Sequence, residues 1–452
     1  MREIDLVIIG GGAAGMAAAV KAYDQGVRNL LILERNDSLG GVLNQCIHNG
    51  FGLHRFQEDL TGVEFAGKYI KMIEEREIPY LLNTFVIELN SDKTLTAVSP
   101  EEGLIEISAK AIILAMGCRE RSRNAILIPG TRGAGILTAG TAQKYLNLKG
   151  YLPGKKIIIV GSGDIGLIMA RQFVLEGAEV KALVEIMPYS GGLPRNMKQC
   201  IEDFDIPVYF SSSITRIKGK ERVSSVCIAR VDENRKPIPE TEFEIDCDTV
   251  LISAGLIPEN ELSEQAGVSL SPVTKGAIVT EDNMTSLPGI FSCGNVLHVH
   301  DLVDYVSEEA EETGAFAAAY IQDIRMRDAK ESKILNAEKG NKKEETENSQ
   351  EEKLVTSPLP SSELIQTISG QGVGGIVPQL VHRSPVSDTV SFMFRPKDKY
   401  QASAIIASSE GKELFHRNCI ALTPGEMCKV TLSAEDLAKA GSSIVFEIER
   451  RN

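Results

Sequence analysis

Two short glycine-rich segments have the residue types and the spacing to bind the phosphates of a dinucleotide. Residues 10–15 (Gly-Gly-Gly-Ala-Ala-Gly) follow the apolar run 6–9, and residues 161–166 (Gly-Ser-Gly-Asp-Ile-Gly) follow the apolar run 157–160. Both have the pattern G-x-G-x-x-G between a buried strand and a helix. The first glycine allows a sharp turn, the second leaves no Cβ beside a pyrophosphate, and the third lets the helix pack closely on the strand. The free N–H groups at the helix start would then bind phosphate oxygens.

An acidic residue follows each turn at the same distance. A second apolar strand ends at Glu34, 24 residues after Gly10, and at Glu185, 24 residues after Gly161. A carboxylate at this position accepts hydrogen bonds from adenosine ribose hydroxyls. It also repels a 2′-phosphate, so Glu185 favours NAD over NADP, although the nearby Lys181 leaves NADP open. One such pattern is weak evidence, but two copies predict two dinucleotide sites rather than two ordinary strand–helix turns without a ligand.

The elements around these turns alternate between strands and helices, which predicts an α/β fold. Two further apolar strands end on glycines, at residues 111–117 and 249–255, and a turn with a short strand occupies residues 285–295. Small residues recur along a helical stretch from about residue 302 to 327. We therefore expect two Rossmann-like domains, each with one glycine turn where its first strand ends.

The C-terminal quarter has a different character. Residues 328–360 are highly charged and lack an apolar period, which predicts a charged linker or a solvated extension of the preceding helix. Polar and apolar residues alternate again at 390–394 and 444–449. Residues 361–452 are therefore predicted to form a small antiparallel all-β domain, sandwich-like, with no catalytic constellation.

Composition excludes several functional classes. The 452 residues suffice for about three domains. With 62 acidic and 48 basic residues, the net charge of −14 argues against nucleic acid as a partner. The eight cysteines contain no C-x-x-C pair, which predicts reduced thiols and a cytoplasmic location. No apolar run approaches the ~18 residues of a membrane span.

The paired turns resemble those of the two-domain flavoproteins of the thioredoxin reductase and glutathione reductase class, in which an NAD(P) domain is inserted into an FAD domain. Residues 285–295 are similar to the second FAD signature of that class, T-x-x-P-G-x-F-x-x-G-D, with Asn295 in place of the aspartate. The resemblance implies an FAD domain at 1–123 and 276–327 and an NAD domain at 124–275.

The resemblance also implies the cofactors, FAD and NAD(H), and the residues that bind them. The residues expected to bind FAD are Gly10, Gly12, Ala13, Ala14, Gly15, Glu34, Arg35, Gly41, Val42, Val86, Ala115, Gly117, Gly294, Asn295 and Val306. The residues expected to bind NAD are Gly161, Gly163, Asp164, Ile165, Gly166, Glu185 and Gly255.

One departure from the class concerns the route by which electrons leave the flavin. The disulfide reductases of this flavoprotein class carry a cysteine pair, C-x-x-x-x-C or C-x-x-C. This chain instead has the single Cys46 after Leu39-Gly40-Gly41. Residues 34–52 resemble a subgroup of FAD/NAD oxidoreductases found with glycerol-3-phosphate dehydrogenase and related to the α subunits of opine, proline and cyanide-forming amine dehydrogenases. This resemblance implies an NADH:acceptor oxidoreductase that works, as an oligomer, with a partner flavoprotein dehydrogenase of glycerol-3-phosphate or an amino acid and a small Cys-rich protein.

Two other functions stay open. Cys46 could cycle through a sulfenic acid in an NADH oxidase or peroxidase, or be an inert packing thiol. The chain could also be a non-catalytic scaffold subunit with structural FAD. His298 and His300 have weak metal-ligand spacing, so we expect them at the mouth of the flavin pocket and predict no metal site. His48 could supply protons or simply pack.

Overall fold

The computed structural model describes residues 1–340, 364–385 and 387–451. The first sheet has seven strands, which are β1 (Arg2–Ile9), β2 (Leu30–Leu33), β5 (Tyr80–Leu81), β6 (Phe85–Leu89), β7 (Thr94–Ser99), β8 (Gly103–Leu114) and β19 (Ile290–Ser292). The parallel part runs β5-β2-β1-β8-β19, and β7 and β6 extend it antiparallel from the first half of β8. The short strands β3 (Asn49–Phe51) and β4 (Leu60–Thr61) form a separate ribbon.

Helices cover one face of this sheet. They are α1 (Ala13–Asp24), α2 (Gly62–Glu75) and α7 (Val303–Gly340). The segment Leu6 to Ile9 of β1 is continuously buried, as expected for a parallel strand covered on both faces. Helices α1 and α7 cross closely at Gly314. A Cβ at this position would overlap the Ala18 carbonyl oxygen, so the close crossing depends on the missing side chain of glycine. The small residues of α7 thus pack that helix directly against α1.

A second parallel sheet contains the second glycine turn. Its strands and helices are β10 (Ile136–Thr138), α3 (Ala139–Lys149), β11 (Lys156–Val160), α4 (Asp164–Leu175), β12 (Glu179–Val184), α5 (Pro194–Cys200), β13 (Val208–Tyr209) and β17 (Thr249–Ile252). The strands pair in the order β10-β17-β11-β12-β13. A three-stranded antiparallel sheet lies beside it, made of β14 (Ser212–Gly219), β15 (Val223–Arg230) and β16 (Phe243–Asp246).

Two antiparallel strands, β9 (Cys118–Glu120) and β18 (Leu256–Pro258), carry the chain out to the second sheet and back. Helix α6 (Glu261–Ala266) comes next. Ala266 and Val268 belong to the core beneath the first sheet. Residues 259–275, which the sequence analysis placed in the NAD domain, therefore pack on the first domain. The spacing of motifs could not show this, because the residues carry no motif and only packing decides where they lie.

The C-terminal region is a two-sheet sandwich, so the predicted fold class is confirmed. Its elements are β20 (Leu364–Ser369), β21 (Leu380–His382), β22 (Thr389–Phe394), β23 (Tyr400–Ser409), β24 (Lys412–Leu422), β25 (Cys428–Ser433), α8 (Ala434–Lys439) and β26 (Ser443–Arg450). Strands β21-β20-β26-β23-β24 pair in one sheet and β22-β25 in the other, with one shared core.

Two details differ from the prediction for this region. The pair β20–β26 is parallel, and α8 adds one short helix to the predicted antiparallel all-β domain. Parallel pairing is possible because the intervening strands act as a long crossover. Residues 328–340, predicted to form either a charged linker or a solvated extension of the preceding helix, continue helix α7 to Gly340, and they are rich in the helix formers Ala, Lys and Glu. The rest of that linker, 341–360, lies outside the described residues.

No helix in the described ranges combines the length and the apolar character needed to cross a membrane.

Candidate functional site

The first glycine turn joins β1 to α1 and leaves a concave space at the helix start. Gly10 has φ +110°, and a Cβ there would overlap the Ala115 carbonyl oxygen. A Cβ at Gly15 would overlap the carbonyl oxygen of Gly10. By contrast, a Cβ at Gly12, the N-cap of α1, would meet no atom within 4 Å. Gly10 and Gly15 are thus required by the fold, whereas Gly12 keeps open a space that fits a pyrophosphate.

The second glycine turn repeats this division of roles between β11 and α4. Gly161 has φ +94°, and a Cβ there would overlap the Ser253 carbonyl oxygen. A Cβ at Gly166 would lie 2.9 Å from the Ser253 Cβ. At Gly163, the N-cap of α4, the nearest atom would be 3.8 Å away. The second turn therefore also offers backbone N–H groups beside an unfilled space.

A buried glutamate closes the first turn. The Glu34 Oε2 accepts a 2.7 Å hydrogen bond from the Gly11 N–H, and its Oε1 accepts a 2.8 Å bond from the Asn36 N–H. The carboxylate therefore joins the glycine turn to the end of β2. Carboxylate oxygens have about four lone-pair sites in total, so acceptor capacity remains for a ribose hydroxyl.

Glu185 closes the second turn with the same pattern of bonds. Its Oε2 accepts from the Ser162 N–H at 2.8 Å, and its Oε1 accepts from the Met187 N–H at 2.8 Å. Lys181 is the nearby cation for which the sequence also allowed NADP at this turn. Its Nζ pairs with the Glu179 Oε1 at 2.7 Å. The two turns are thus structural copies as well as sequence copies, and the charge beside the second one is negative.

A second pair of glycines, missed in the sequence analysis, extends the repeat. Gly40 and Gly191 each lie six residues after the acid of their copy. The Gly40 N–H donates to the Gly11 carbonyl at 2.8 Å, and the Gly191 N–H donates to the Ser162 Oγ at 2.9 Å. The signal was visible as a Gly-Gly pair at an equal offset in both copies.

The segment that resembles the second FAD signature meets the first turn. A Cβ at Gly294 would lie 2.7 Å from the Ala14 Cβ and 3.4 Å from Val306 on α7. Asn295 accepts from the His300 N–H at 3.0 Å, and its amide nitrogen lies 3.6 Å from the Cys118 Sγ. The fold therefore brings together residues that are 280 positions apart in the sequence.

The remaining residues expected near FAD occupy varied positions. Val86 is buried on β6, close to the point where the Thr84 N–H donates to the Glu34 carbonyl at 2.9 Å. Arg35 pairs with Glu259 at 2.9 Å. Val42 is 62% exposed at the surface of the short 3₁₀ helix Gly41–Gln45. Gly41 lies beside Gly12, Ala115 lies beside Gly10, Ala13 begins α1, and Gly117 accepts from the Glu259 N–H at 3.0 Å.

Two residues expected near NAD already have partners within the protein. The Asp164 Oδ1 accepts from the Leu193 N–H at 2.8 Å and from the Asn196 side chain at 2.6 Å. Gly255 accepts from the Arg121 N–H at 3.0 Å, at the crossing between the two domains. The side chain of Ile165 packs against the core of the second domain.

Cys46 lies where the two domains meet. Its Sγ donates to the Val42 carbonyl at 3.4 Å and lies 3.9 Å from the Gln143 side chain of α3. Burial raises the pKa of the Cys46 thiol to about 12. At neutral pH the residue is therefore a thiol, whereas sulfenate chemistry starts from a thiolate. All eight cysteines lie in the described ranges, and all are free.

A cavity of about 460 Å³ lies where the three parts of the chain meet. His54 and Tyr305, whose rings stack with centroids 5.7 Å apart, line it from the first domain. Arg195 lines it from the second domain, and Met427 from the C-terminal sandwich. Burial, together with the charge of Arg195, lowers the pKa of nearby His48, which favours the neutral form of the ring.

Comparisons with known proteins agree with this architecture. Residues 4–314 match the family model described as pyridine nucleotide-disulphide oxidoreductase. The subunit HcnB of hydrogen cyanide synthase from Pseudomonas protegens is 27% identical over 290 residues, 59% of this chain and 59% of that protein. An opine oxidase subunit from Agrobacterium tumefaciens is 23% identical over 354 residues, 71% of this chain and 66% of that protein.

Each of these alignments spans less than two thirds of the relative. Among solved structures, thioredoxin reductase from T. acidophilum has a TM-score of 0.57 at 22% identity, covering 72% of this chain and 100% of that one. This similarity supports the fold alone. Since the family model covers most of the chain, the chain belongs to the pyridine nucleotide-disulphide oxidoreductase family.

Proposed function

We propose that this chain is an NADH:acceptor oxidoreductase that binds FAD at its first glycine turn and NAD(H) at its second. The main support is the pair of matching turns, each with an open N-cap glycine and a buried glutamate. Gly294, from the segment that resembles the second FAD signature, lies beside the first turn, where a Cβ would be 2.7 Å from the Ala14 Cβ, and this favours FAD at that turn. The cofactor-binding residues from the sequence analysis remain part of this proposal.

The preference for NADH follows from Glu185. Its carboxylate lies at the end of β12, where the adenosine ribose of a bound dinucleotide would sit, and its charge would repel a 2′-phosphate. The cation closest in sequence, Lys181, is already paired with Glu179. NADPH would therefore bind more weakly than NADH.

When bound, the flavin accepts a hydride from reduced nicotinamide and passes electrons on. The chain's own residues position and shield these groups. The N–H groups of the two turns would hold the pyrophosphates. Helix α3 of the second domain lies against the Gly41–Gln45 segment of the first, where the Gln45 side chain donates to the Gly140 carbonyl at 3.1 Å. The cavity lined by His54 and Arg195 is the proposed place where nicotinamide or an acceptor approaches.

We further propose that the acceptor belongs to a partner protein. The sequence has no C-x-x-C or C-x-x-x-x-C pair for the disulfide chemistry after which the family is named, and the Cys46 environment disfavours a thiolate. Two relatives are themselves called subunits, of hydrogen cyanide synthase and of opine oxidase. A flavoprotein dehydrogenase of glycerol-3-phosphate or an amino acid, reached through a small Cys-rich protein in the cytoplasm, is the partner we propose.

Oxidation of the reduced enzyme by different acceptors tests this proposal. The FAD-loaded chain is reduced with one equivalent of NADH without oxygen, and reoxidation is followed after mixing with ferricyanide, oxygen, hydrogen peroxide or a small disulfide. Rapid reoxidation by ferricyanide alone supports a role in electron transfer to a partner. Fast, Cys46-dependent reoxidation by peroxide or oxygen would instead support the oxidase or peroxidase. Failure of NADH to reduce the flavin would support the scaffold.

A further inference from the structure

A buried cluster of two histidines and one glutamate lies outside both glycine turns. His298 and His300 follow the second FAD-like signature, and Glu309 projects from α7. The Nε2 of His298 is 2.6 Å from the Glu309 Oε2, and the Nε2 of His300 is 3.3 Å from the same oxygen. Side-chain exposure is 7% for His298 and Glu309 and 1% for His300. Three possible metal-ligand atoms therefore converge among largely buried side chains.

Hydrogen bonding leaves one of these atoms without a partner. The His300 Nδ1 lies 3.0 Å from the His298 carbonyl, so Nδ1 carries the proton and donates it there. Its Nε2 is buried, lies 3.3 Å from the Glu309 Oε2 and makes no hydrogen bond of good geometry. A buried polar atom without a good hydrogen bond is costly, and a cation bound between this nitrogen and the carboxylate would satisfy both groups.

We propose that His298, His300 and Glu309 bind a divalent transition-metal ion, with Zn²⁺ the best chemical match. Two imidazole nitrogens and one carboxylate oxygen form a ligand set typical of Zn²⁺ sites that keep a fourth position for water. Tetrahedral coordination at the usual bond lengths separates ligand atoms by ~3.4 Å. The distance from the His300 Nε2 to the Glu309 Oε2 already has this value. The distance from the His298 Nε2 to the same oxygen would have to lengthen by less than ~1 Å.

Neighbouring groups fix the proposed ligands in place. The Gly294 N–H donates to the Glu309 Oε1 at 2.6 Å, which leaves Oε2 directed at the histidines. The bond between His300 Nδ1 and the His298 carbonyl orients the His300 ring. Such partners of ligand groups set their orientation and raise metal affinity.

A cavity offers the ion a route to the cluster. It has a volume of about 530 Å³ between α7 and the C-terminal sandwich, and it is lined by His298 and Glu309 at the cluster. Four further glutamates, Glu281, Glu308, Glu311 and Glu312, and two lysines, Lys21 and Lys429, also line it. Because the carboxylates outnumber the lysines, the cavity would raise the local concentration of cations.

The metal would join two parts of the chain. It would link α7 to residues 298–300, and the next residue, Asp301, accepts from the Met427 N–H of the sandwich at 2.6 Å. Binding would therefore stabilise the contact between the first domain and the sandwich.

Metal binding to the full-length, FAD-loaded protein tests the inference. The protein is treated with chelator, dialysed, and titrated with Zn²⁺ or Co²⁺ alone. We expect one equivalent to bind, a visible Co²⁺ d–d band without a strong thiolate charge-transfer band, and a higher melting temperature with Zn²⁺. The variants His300→Phe and Glu309→Gln should weaken binding about 100-fold or more. The matched control is His416→Gln, which alters an exposed histidine 3.1 Å from Glu413 and should leave binding unchanged.

Three results would overturn the inference. These are binding of less than one equivalent to the wild-type protein, a Co²⁺ spectrum with thiolate bands, and equal binding by wild type and both cluster variants. In each case the cluster would be a buried ion pair that only joins α7 to residues 298–300. The wild-type titration decides between these readings even if a cluster variant fails to fold.

Discussion

Replacing Gly163 with alanine separates nicotinamide binding from folding. Gly163 is the N-cap of α4, with φ −68° and ψ 159°, a conformation open to alanine. The new Cβ would lie 3.8 Å from its nearest neighbour, the Ser253 Oγ, so no atom has to move. An alanine in place of glycine at an N-cap costs below about 1 kcal/mol. We therefore expect the variant to fold and to keep its FAD.

The same methyl group would occupy the space proposed for the NAD pyrophosphate. If it prevents one hydrogen bond between a backbone N–H and a charged phosphate, the loss is about 1.5–3 kcal/mol. Affinity for NADH would fall roughly 10- to 150-fold.

The assay is the NADH concentration dependence of flavin reduction in anaerobic stopped-flow experiments, with FAD content and melting temperature measured in parallel. Gly67→Ala is the matched control, because a Cβ at this helical position meets nothing within 4 Å and Gly67 lies in neither glycine turn. Gly166→Ala should instead destabilise the protein, because its Cβ would lie 2.9 Å from the Ser253 Cβ. Unchanged NADH affinity in Gly163→Ala would refute the assignment of the second turn.

Three further predictions concern the first turn, the nucleotide preference and the lone cysteine. Gly12→Ala should leave the apoprotein as stable as wild type but abolish the rise in melting temperature with FAD, which at 100 times Kd corresponds to about 2.7 kcal/mol; an unchanged rise would contradict the site. Glu185→Gln keeps the shape of the side chain but removes its charge, so the ratio of NADH to NADPH efficiency should fall roughly 10-fold or more; steady-state kinetics with both nucleotides measures it, and an unchanged ratio would count against the charge argument. Because burial raises the pKa of Cys46 from 9.0 to about 12, its thiolate fraction at pH 7 is about 1,000-fold below that of an ordinary cysteine. Peptide mapping after iodoacetamide treatment should therefore find Cys46 nearly unlabelled, and Cys46→Ser should keep NADH-dependent flavin reduction. Fast labelling of Cys46 would contradict the raised pKa of its thiol.

Local sequence patterns predicted the parts of this protein that depend on local geometry. The glycines at 10 and 161 are needed because the chain turns with positive φ against a neighbouring carbonyl, and such requirements leave a mark in the sequence. Equal offsets to Glu34 and Glu185 then indicated two copies of one structural unit.

Contacts between distant segments left no comparable pattern. Glu309 belongs to the acidic run 308–312, a pattern typical of a solvated helix face, yet packing of α7 buries it against His298 and His300. Arg35 seemed free for FAD but pairs with Glu259, which returns to the first domain after the long insertion. Such contacts depend on how whole elements dock, which neither periodicity nor spacing records.

Anaerobic titration of the FAD-loaded chain with NADH, and separately with NADPH, tests the central claim most directly. The absorbance of oxidised flavin is followed against the equivalents of nucleotide added. Our account predicts stoichiometric bleaching by NADH and slower bleaching by NADPH. An absorbance that neither nucleotide changes would contradict the claim that this chain joins a nicotinamide site to a flavin site.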